Sequence, residues 1–487
     1  MSIKTRQKNS KILSSKWVFR TKDDGSKKAR LCVRGFEQQN LSYGDIFSPV
    51  ANASSIRTLL AIAVELNMNI AKFDVKSAFL NGELSGEKIF MYIPQGYAKN
   101  EQKVCLLKKA LYGLKQAPQT WNTTLTEYLV KQGFIQLKSD PCIFRNKSKT
   151  IFIGVHVDDG LVIWKSKAEL DHLFDALRNK FELKTDENPT EYLGIEIEKV
   201  DGGLSLRQSR YIETVLKNFN MSEANAMATP MAPENVEQVI KDSTEEQDTV
   251  TKFPYRRAVG SLLYLATQTR PDIAFATNAA SRHLENPNKN DVINVKRIMR
   301  YLKGTSSEGI TLKKSGNLSL TAYSDSDYGG DRDTRRSTTG YVVFIGGSPV
   351  SWTTRRQTTV ATSSTEAEVM AAADCVKELA FMRKLVYELF GESKNALLFL
   401  EKSKSALLFV DNQSAIELIE NGVHGKRSKH MDIKYHYIKE RVEQNLITVK
   451  YVNTAEQTAD ILTKPLLKIK FNHHKKMLMG ACSSVNQ

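Results

Sequence analysis

The stretch Ile151-Phe152-Ile153-Gly154-Val155-His156-Val157-Asp158-Asp159-Gly160-Leu161-Val162-Ile163-Trp164 constrains this chain more than any other. Two apolar runs flank Asp158-Asp159-Gly160, the pattern of a β-hairpin with the acids at its tip. Adjacent carboxylates repel, and each loses solvent beside an apolar hairpin. A divalent cation relieves both costs. An Asp-Gly pair is also an ordinary turn, so the hairpin alone leaves a metal site and an exposed turn both open.

The 487 residues suffice for about three domains. With 41% hydrophobic and 25% charged residues, the chain has the make-up of a globular protein that buries a full core. Lys and Arg number 70 against 54 Asp and Glu, a net charge of +16. That excess suits a polyanionic partner, most simply nucleic acid, although a merely soluble basic surface has the same composition. Cys32, Cys105, Cys142, Cys375 and Cys482 are scattered without a CxxC pair, which suggests neither a zinc site nor a disulfide framework. A reducing compartment is expected. No apolar run approaches the roughly 18 residues of a membrane span, and the basic start Met1–Arg6 lacks an apolar signal core. The expected location is intracellular, with cytoplasmic particle and nucleus undistinguished, and no membrane partner is expected.

Residues 1–15 read as a basic tail. Lys16–Arg20 and Ala29–Arg34 read as a hairpin around Asp23-Asp24-Gly25-Ser26, made basic by Lys27, Lys28, Arg30 and Arg34. A helix is predicted over Ser54–Leu66 and a strand over Ile70–Val75, with Asp74 near its end. Tyr112–Pro118 reads as a loop opening a helix to about Gln132. Beyond the acidic hairpin come a helix (167–181), a hairpin around Asp201-Gly202-Gly203, a helix (208–219) and a linker (220–250) with Pro230 and Pro233. Three further helices lie between 255 and 303. From Leu318 the order becomes three strands, a long helix (Ser364–Phe390), a strand, helices, a strand and a helix, an α/β order fit for its own domain. One oddity stands within it: Ser393–Lys402 is followed at once by the near-identical Ser403–Asn412. The second copy is the expected strand, because Asp411-Asn412-Gln413-Ser414 leads directly into a helix.

The chemistry-bearing residues reduce to two groups of carboxylates at the ends of β-like runs or on helices. Asp74, Asp158 and Asp159 form the first; Asp325, Glu368, Asp411 and Asp460 form the second. Taken singly, each reads more readily as an N-cap, a turn residue or a surface charge than as a metal ligand. Gathered, such acids hold paired Mg²⁺ ions roughly 3.5–4 Å apart, the arrangement used for phosphoryl transfer.

Several ordered blocks resemble those of copia-type retrotransposon reverse transcriptases. They are Phe73–Gly82, Leu111–Pro118 with Trp121, Val157-Asp158-Asp159 and Tyr192–Ile197. Four later blocks resemble the family's ribonuclease H: Ser337–Tyr341, Ser363–Glu368, Val410–Ala415 and Ala459–Pro465. The resemblance runs from about Lys16 to Pro465 and implies a multidomain α/β and α+β fold, a right-hand polymerase followed by a connection and a ribonuclease H-like domain. The implied boundaries are a basic tail (1–15), fingers and palm (16–204), a mostly helical thumb and connection (205–315), ribonuclease H (316–466) and a C-terminal tail (467–487).

The resemblance also implies roles. Asp74, Asp158 and Asp159 bind two Mg²⁺ (or Mn²⁺) ions and align a DNA primer on an RNA template with an incoming deoxynucleoside triphosphate. Phe79 excludes a 2′-hydroxyl, Lys28 and Arg30 meet the triphosphate, and Tyr112 and Gly113 lie near the nucleotide. Asp325, Glu368, Asp411 and Asp460 hold the metals that cut RNA in an RNA–DNA hybrid. Asp327 and Glu366 are the rivals of Asp325 and Glu368; Asp325 is preferred because it directly ends its apolar strand. Tyr451–Glu456 offers no catalytic histidine of the kind some ribonucleases H carry. His156 departs from the family's usual Tyr. The sequence starts at the fingers, as expected of a processed product, a truncated copy or a partial gene. The alternative function is a retrotransposon remnant that binds nucleic acid without turnover. The natural primer and oligomeric state are not legible in the sequence.

Overall fold

The computed structural model describes residues 1–5, 11–21, 25–39, 47–84, 88–97, 103–233, 252–391, 405–421 and 429–480. The Asp23-Asp24 turn, most of the expected linker and the first repeat copy, with Glu401, lie outside the described residues. The chain forms two compact units, both mixed α/β. The first comprises Met1–Asn52 and Asn69–Asn188; the second comprises Ala53–Met68 and Pro189–Gln487.

In the first unit a sheet of six strands runs in the order Leu183–Asp186, Asn69–Val75, Asp159–Trp164, Ile151–His156, Ile143–Arg145, Ile135–Gln136. Its two central hairpin strands are apolar except at His156 and Asp159, and both faces are buried: Ile153, Val155 and Val162 on one, Phe152, Leu161 and Ile163 on the other. Phe73, Ile153, Val155 and Val162 pack with Trp121, Leu125 and Leu129 of helix Ala117–Lys131, and with Leu170, Phe174 and Leu177 of helix Lys167–Lys180. A ribbon of Ser15–Thr21 and Lys27–Val33 stands apart from this sheet. The expected N-terminal tail is partly ordered: Ser2–Thr5 pairs with Lys103–Leu106, and Ile12–Leu13 with Phe90–Met91.

In the second unit, hairpin Ile195–Val200/Gly203–Arg207 pairs with Gly309–Lys313. A five-stranded sheet has the order Ser348–Arg356, Thr338–Ile345, Leu320–Asp327, Ala406–Val410, Ile447–Tyr451. Its first three strands are antiparallel; the last two run parallel to Leu320–Asp327. The long helix Ser364–Phe390 is capped by Ser363 Oγ, which accepts from Glu366 N at 3.1 Å. Among the described residues no helix is long and apolar enough to cross a membrane.

The units divide differently from the expected boundaries. The hairpin from Ile195 belongs to the second unit, and so does helix Ala53–Glu65, whose flanking residues belong to the first. This helix buries almost its whole circumference: Ile56, Leu59, Leu60, Ile62 and Ala63, and with them Arg57. Arg57 Nε donates to Val350 O at 2.7 Å, Nη1 donates to Thr267 O (2.9 Å) and Gln268 O (3.1 Å), and the guanidinium lies 4.0 Å from the Trp352 ring centre. Burial pushes its pKa down to about 9, against the opposing charge of Glu378. At the far end Glu65 accepts from Ser315 N (2.6 Å) and Gly316 N (2.9 Å). Arg57→Ala is expected to remove three hydrogen bonds to backbone carbonyls, that of Val350 fully buried, and cost about 2–4 kcal/mol in chemical denaturation. Lysine, lacking the planar fork, should not restore it. A loss below about 1 kcal/mol would contradict this account.

Candidate active sites

In the first unit the acidic hairpin is tighter than its sequence suggests. His156 faces Asp159 in register, so the turn is Val157-Asp158 and Asp159 opens the returning strand. Val157 sits at φ 59°, a costly conformation for a β-branched residue. Its carbonyl is held by Trp121 Nε1 at 2.7 Å, and Val75 N donates to Asp158 O at 3.0 Å. Strand Asn69–Val75 lies next to the hairpin with Asp74 directly opposite Asp159. Gly160, opposite Phe73, has no room for a side chain: a Cβ there would lie 2.1 Å from the Phe73 ring. The three acids of the first group thus occupy neighbouring backbone positions at one end of the sheet.

Burial raises the Asp159 pKa to about 6, helped by the charges of Asp158 and Asp74 and opposed by Lys72. Burial also lowers His156, against the pull of Asp158. Tyr112 is raised by burial and by Asp158 and Asp74, against Arg30, so its phenol shares their field. Arg30 stands 5.2 Å over the Tyr112 ring, and Tyr112 meets Phe79 edge-on at 5.1 Å. Gly113 has φ 92°, and a Cβ there would fall 2.0 Å from Val33 O. The Val33 N to Tyr112 O hydrogen bond (2.7 Å) ties this loop to the ribbon. Lys28 is exposed on the ribbon, opposite Arg20.

In the second unit Asp325, Asp411 and Asp460 offer ligand oxygens all within 4.8 Å of one another. Asp325 lies within strand Leu320–Asp327 rather than at its end, because pairing with Thr338–Ile345 continues through Asp327. Asp411 follows strand Ala406–Val410, built from the second repeat copy, and accepts from Thr454 Oγ1 at 2.9 Å. Glu368 projects from the long helix; its Oε1 accepts from Ser326 N (3.0 Å) and Oγ (2.9 Å), while buried Oε2 has no hydrogen-bond partner. Its rival Glu366 is occupied at the helix start, accepting from Thr362 N and Oγ1 at 2.6 Å. Asp460 lies in a 3₁₀ turn, Thr458–Leu462, where an α-helix is expected from sequence.

Burial lifts the Asp325 pKa to about 7, against Lys464 and with Asp460. Burial, then Asp325, lifts Glu368 well above the carboxylate range. Asp460 runs the other way: burial would raise it, but Lys464 and Lys470 outweigh burial and hold it below its ordinary value. Lys464 Nζ lies 2.8 Å from Asp460 Oδ1 and 3.6 Å from Asp325 Oδ2, and Thr463 Oγ1 donates to Asp325 Oδ2. Sequence reasoning assigns no role to Thr463, Lys464 or Lys470. The first two lie inside a quoted block, whereas Lys470 lies in the expected tail.

Residues 2–233 match the model of the reverse transcriptase (RNA-dependent DNA polymerase) family. The retrovirus-related Pol polyprotein from transposon TNT 1-94 of Nicotiana tabacum is 38% identical over 97% of this chain and 36% of its own length. That from transposon RE2 of Arabidopsis thaliana is 39% identical over 96% of this chain and 32% of its own. The putative transposon Ty5-1 protein of Saccharomyces cerevisiae is 31% identical over 63% of this chain and all of its own length. The chain belongs to the copia-type retrotransposon Pol family. It spans about a third of the length of the plant polyproteins it matches. The foamy viral protease–reverse transcriptase solved with double-stranded DNA has a TM-score of 0.49 at 11% identity, over 93% of this chain and 67% of that one.

Proposed function

We propose that this copia-type Pol chain is an RNA-directed DNA polymerase with a separate ribonuclease H-like site. The carrying observation is Asp74 set directly opposite Asp159, with Asp158 in the turn between Asp159 and its partner strand. The first unit supplies fingers (the basic ribbon) and palm (the six-stranded sheet). The acids fit divalent cations: Asp159 is raised by burial and then by the charges of Asp158 and Asp74, and in the second site Glu368 Oε2 is buried without a partner. Asp74, Asp158 and Asp159 would hold one pair of ions and Asp325, Glu368, Asp411 and Asp460 another. Bound Mg²⁺ would supply charge neutralisation to the attacking and leaving oxygens of phosphoryl transfer.

The protein's own part is positioning. Strand register brings the three acids together, and there they would support attack of a primer 3′-hydroxyl on the α-phosphate of a deoxynucleoside triphosphate, with pyrophosphate leaving. Arg30, held over the Tyr112 ring, would meet the triphosphate, with Lys28 on the same ribbon strand. The net charge of +16 favours an RNA template, a DNA primer and their hybrid.

Primer extension on poly-rA/oligo-dT with Mg²⁺ tests this reading: wild type should extend and Asp158→Asn should not. Equal activity in both sinks the assignment, and a chain that binds the duplex without extending it is the remnant of the alternative reading. Phe79, which meets Tyr112 edge-on, would crowd a 2′-hydroxyl. Phe79→Ala should raise ribonucleotide incorporation relative to deoxyribonucleotide by at least about tenfold. An unchanged ratio would leave Phe79 as a packing residue only.

A further inference from the structure

Residues 467–480, part of the tail expected from sequence, border the second site. Helix Lys468–Leu478 buries Phe471, His474 and Leu478. Phe471 meets Tyr301 edge-on at 5.6 Å, Lys475 Nζ lies 2.5 Å from Glu308, and Met479 O accepts from Thr311 N at 2.8 Å. Docked this way, the helix sets Lys470 Nζ on Asp460 Oδ2. With Lys464 on Oδ1, both oxygens of one candidate metal ligand carry an ammonium. His474 adds no charge, because burial pushes its pKa down to about 4 against the pull of Asp460.

An ammonium and a divalent ion compete for the same carboxylate charge. Lys464 lies just past the 3₁₀ turn, four residues after Asp460 in the same segment. Lys470 comes from a separate helix, whose docking rests on Phe471, Leu478 and Lys475 instead. Its side chain is 38% exposed, which leaves it a path into solvent when a cation takes its place. We propose that Lys470 is a built-in counter-cation of the ribonuclease H-like site, delivered by the C-terminal helix, and that it sets the divalent-ion concentration at which that site loads. This rests on the reading of Asp325, Asp411 and Asp460 as metal ligands.

The test is Mn²⁺ binding by calorimetry to the full chain, with the first site disabled by Asp158→Asn and Asp159→Asn. In that background Lys470→Gln should bind Mn²⁺ at least about tenfold more tightly, the usual weight of one charge at this range. Lys470→Arg should bind as the parent does, and Asp411→Asn should lose the site. Unchanged or weaker binding by Lys470→Gln overturns the counter-cation. So does loss of its cooperative melting, which would make Lys470 a structural anchor. If Asp411→Asn binds Mn²⁺ like its parent, or the parent binds none, the metal-site reading itself falls, and the proposal with it.

Discussion

Asp159→Asn is expected to abolish DNA synthesis and, in the absence of metal, to make the protein more stable at pH 8. The synthetic loss should be on the order of a hundredfold to a thousandfold, the scale of removing one preorganised charge contact from a transition state. The stability gain follows from the same charge. Asp159 titrates near 6 in the folded chain against 3.8 for the ordinary group, because it is buried between Asp158 and Asp74. A raised folded-state pKa means that folding favours the neutral acid. That contribution is fully present below about pH 4 and is lost as the pH rises through about 6, so at pH 8 the wild type carries the full cost of an ionised, crowded carboxylate. Asparagine carries none of it, and the expected gain is about 1–3 kcal/mol at pH 8. Thermal melts in EDTA at pH 4, 6 and 8 should show the gap between variant and wild type opening with pH. A gap independent of pH would mean that Asp159 is not electrostatically strained. Mg²⁺ should raise the wild-type melting temperature more than that of the variant.

Asp411→Asn should remove hybrid cleavage by a similar factor, on the order of a hundredfold or more, and leave primer extension intact. Asp411 contributes to the group of oxygens within 4.8 Å, and its strand is the second copy of the ten-residue repeat. Glu401 holds the place in the first copy, Ser393–Lys402, that Asp411 holds in the second. Glu401→Gln should therefore cleave as wild type does. Loss of cleavage in Glu401→Gln with retention in Asp411→Asn would move the site to the other copy. Coupled loss of cleavage and synthesis in Asp411→Asn would argue against two separate sites.

The paired apolar runs made the acidic hairpin legible to within two residues. Its turn falls on Val157-Asp158 rather than at Asp-Gly, because Trp121 and Val75 hold that backbone from outside the hairpin. Asp325 was legible as a strand residue but not its position in the strand, since strand length depends on the partner and pairing continues to Asp327. Glu366 and Glu368 share one helix and one composition; only hydrogen bonding at the helix start separates them. Helix Ala53–Glu65 was readable as a helix, but nothing local says which unit buries it.

By itself, then, the sequence determined the local elements and the acids they carry, because apolar periodicity and turn residues act over a few positions. It also carried enough ordered blocks to mark the family. Only the tertiary structure decided that Asp74 faces Asp159, that Arg57 is spent on carbonyls of the second unit, and that Lys464 and Lys470 share Asp460. These depend on strand register and on the docking of distant helices, which arise from packing between segments and leave no periodic trace in either one.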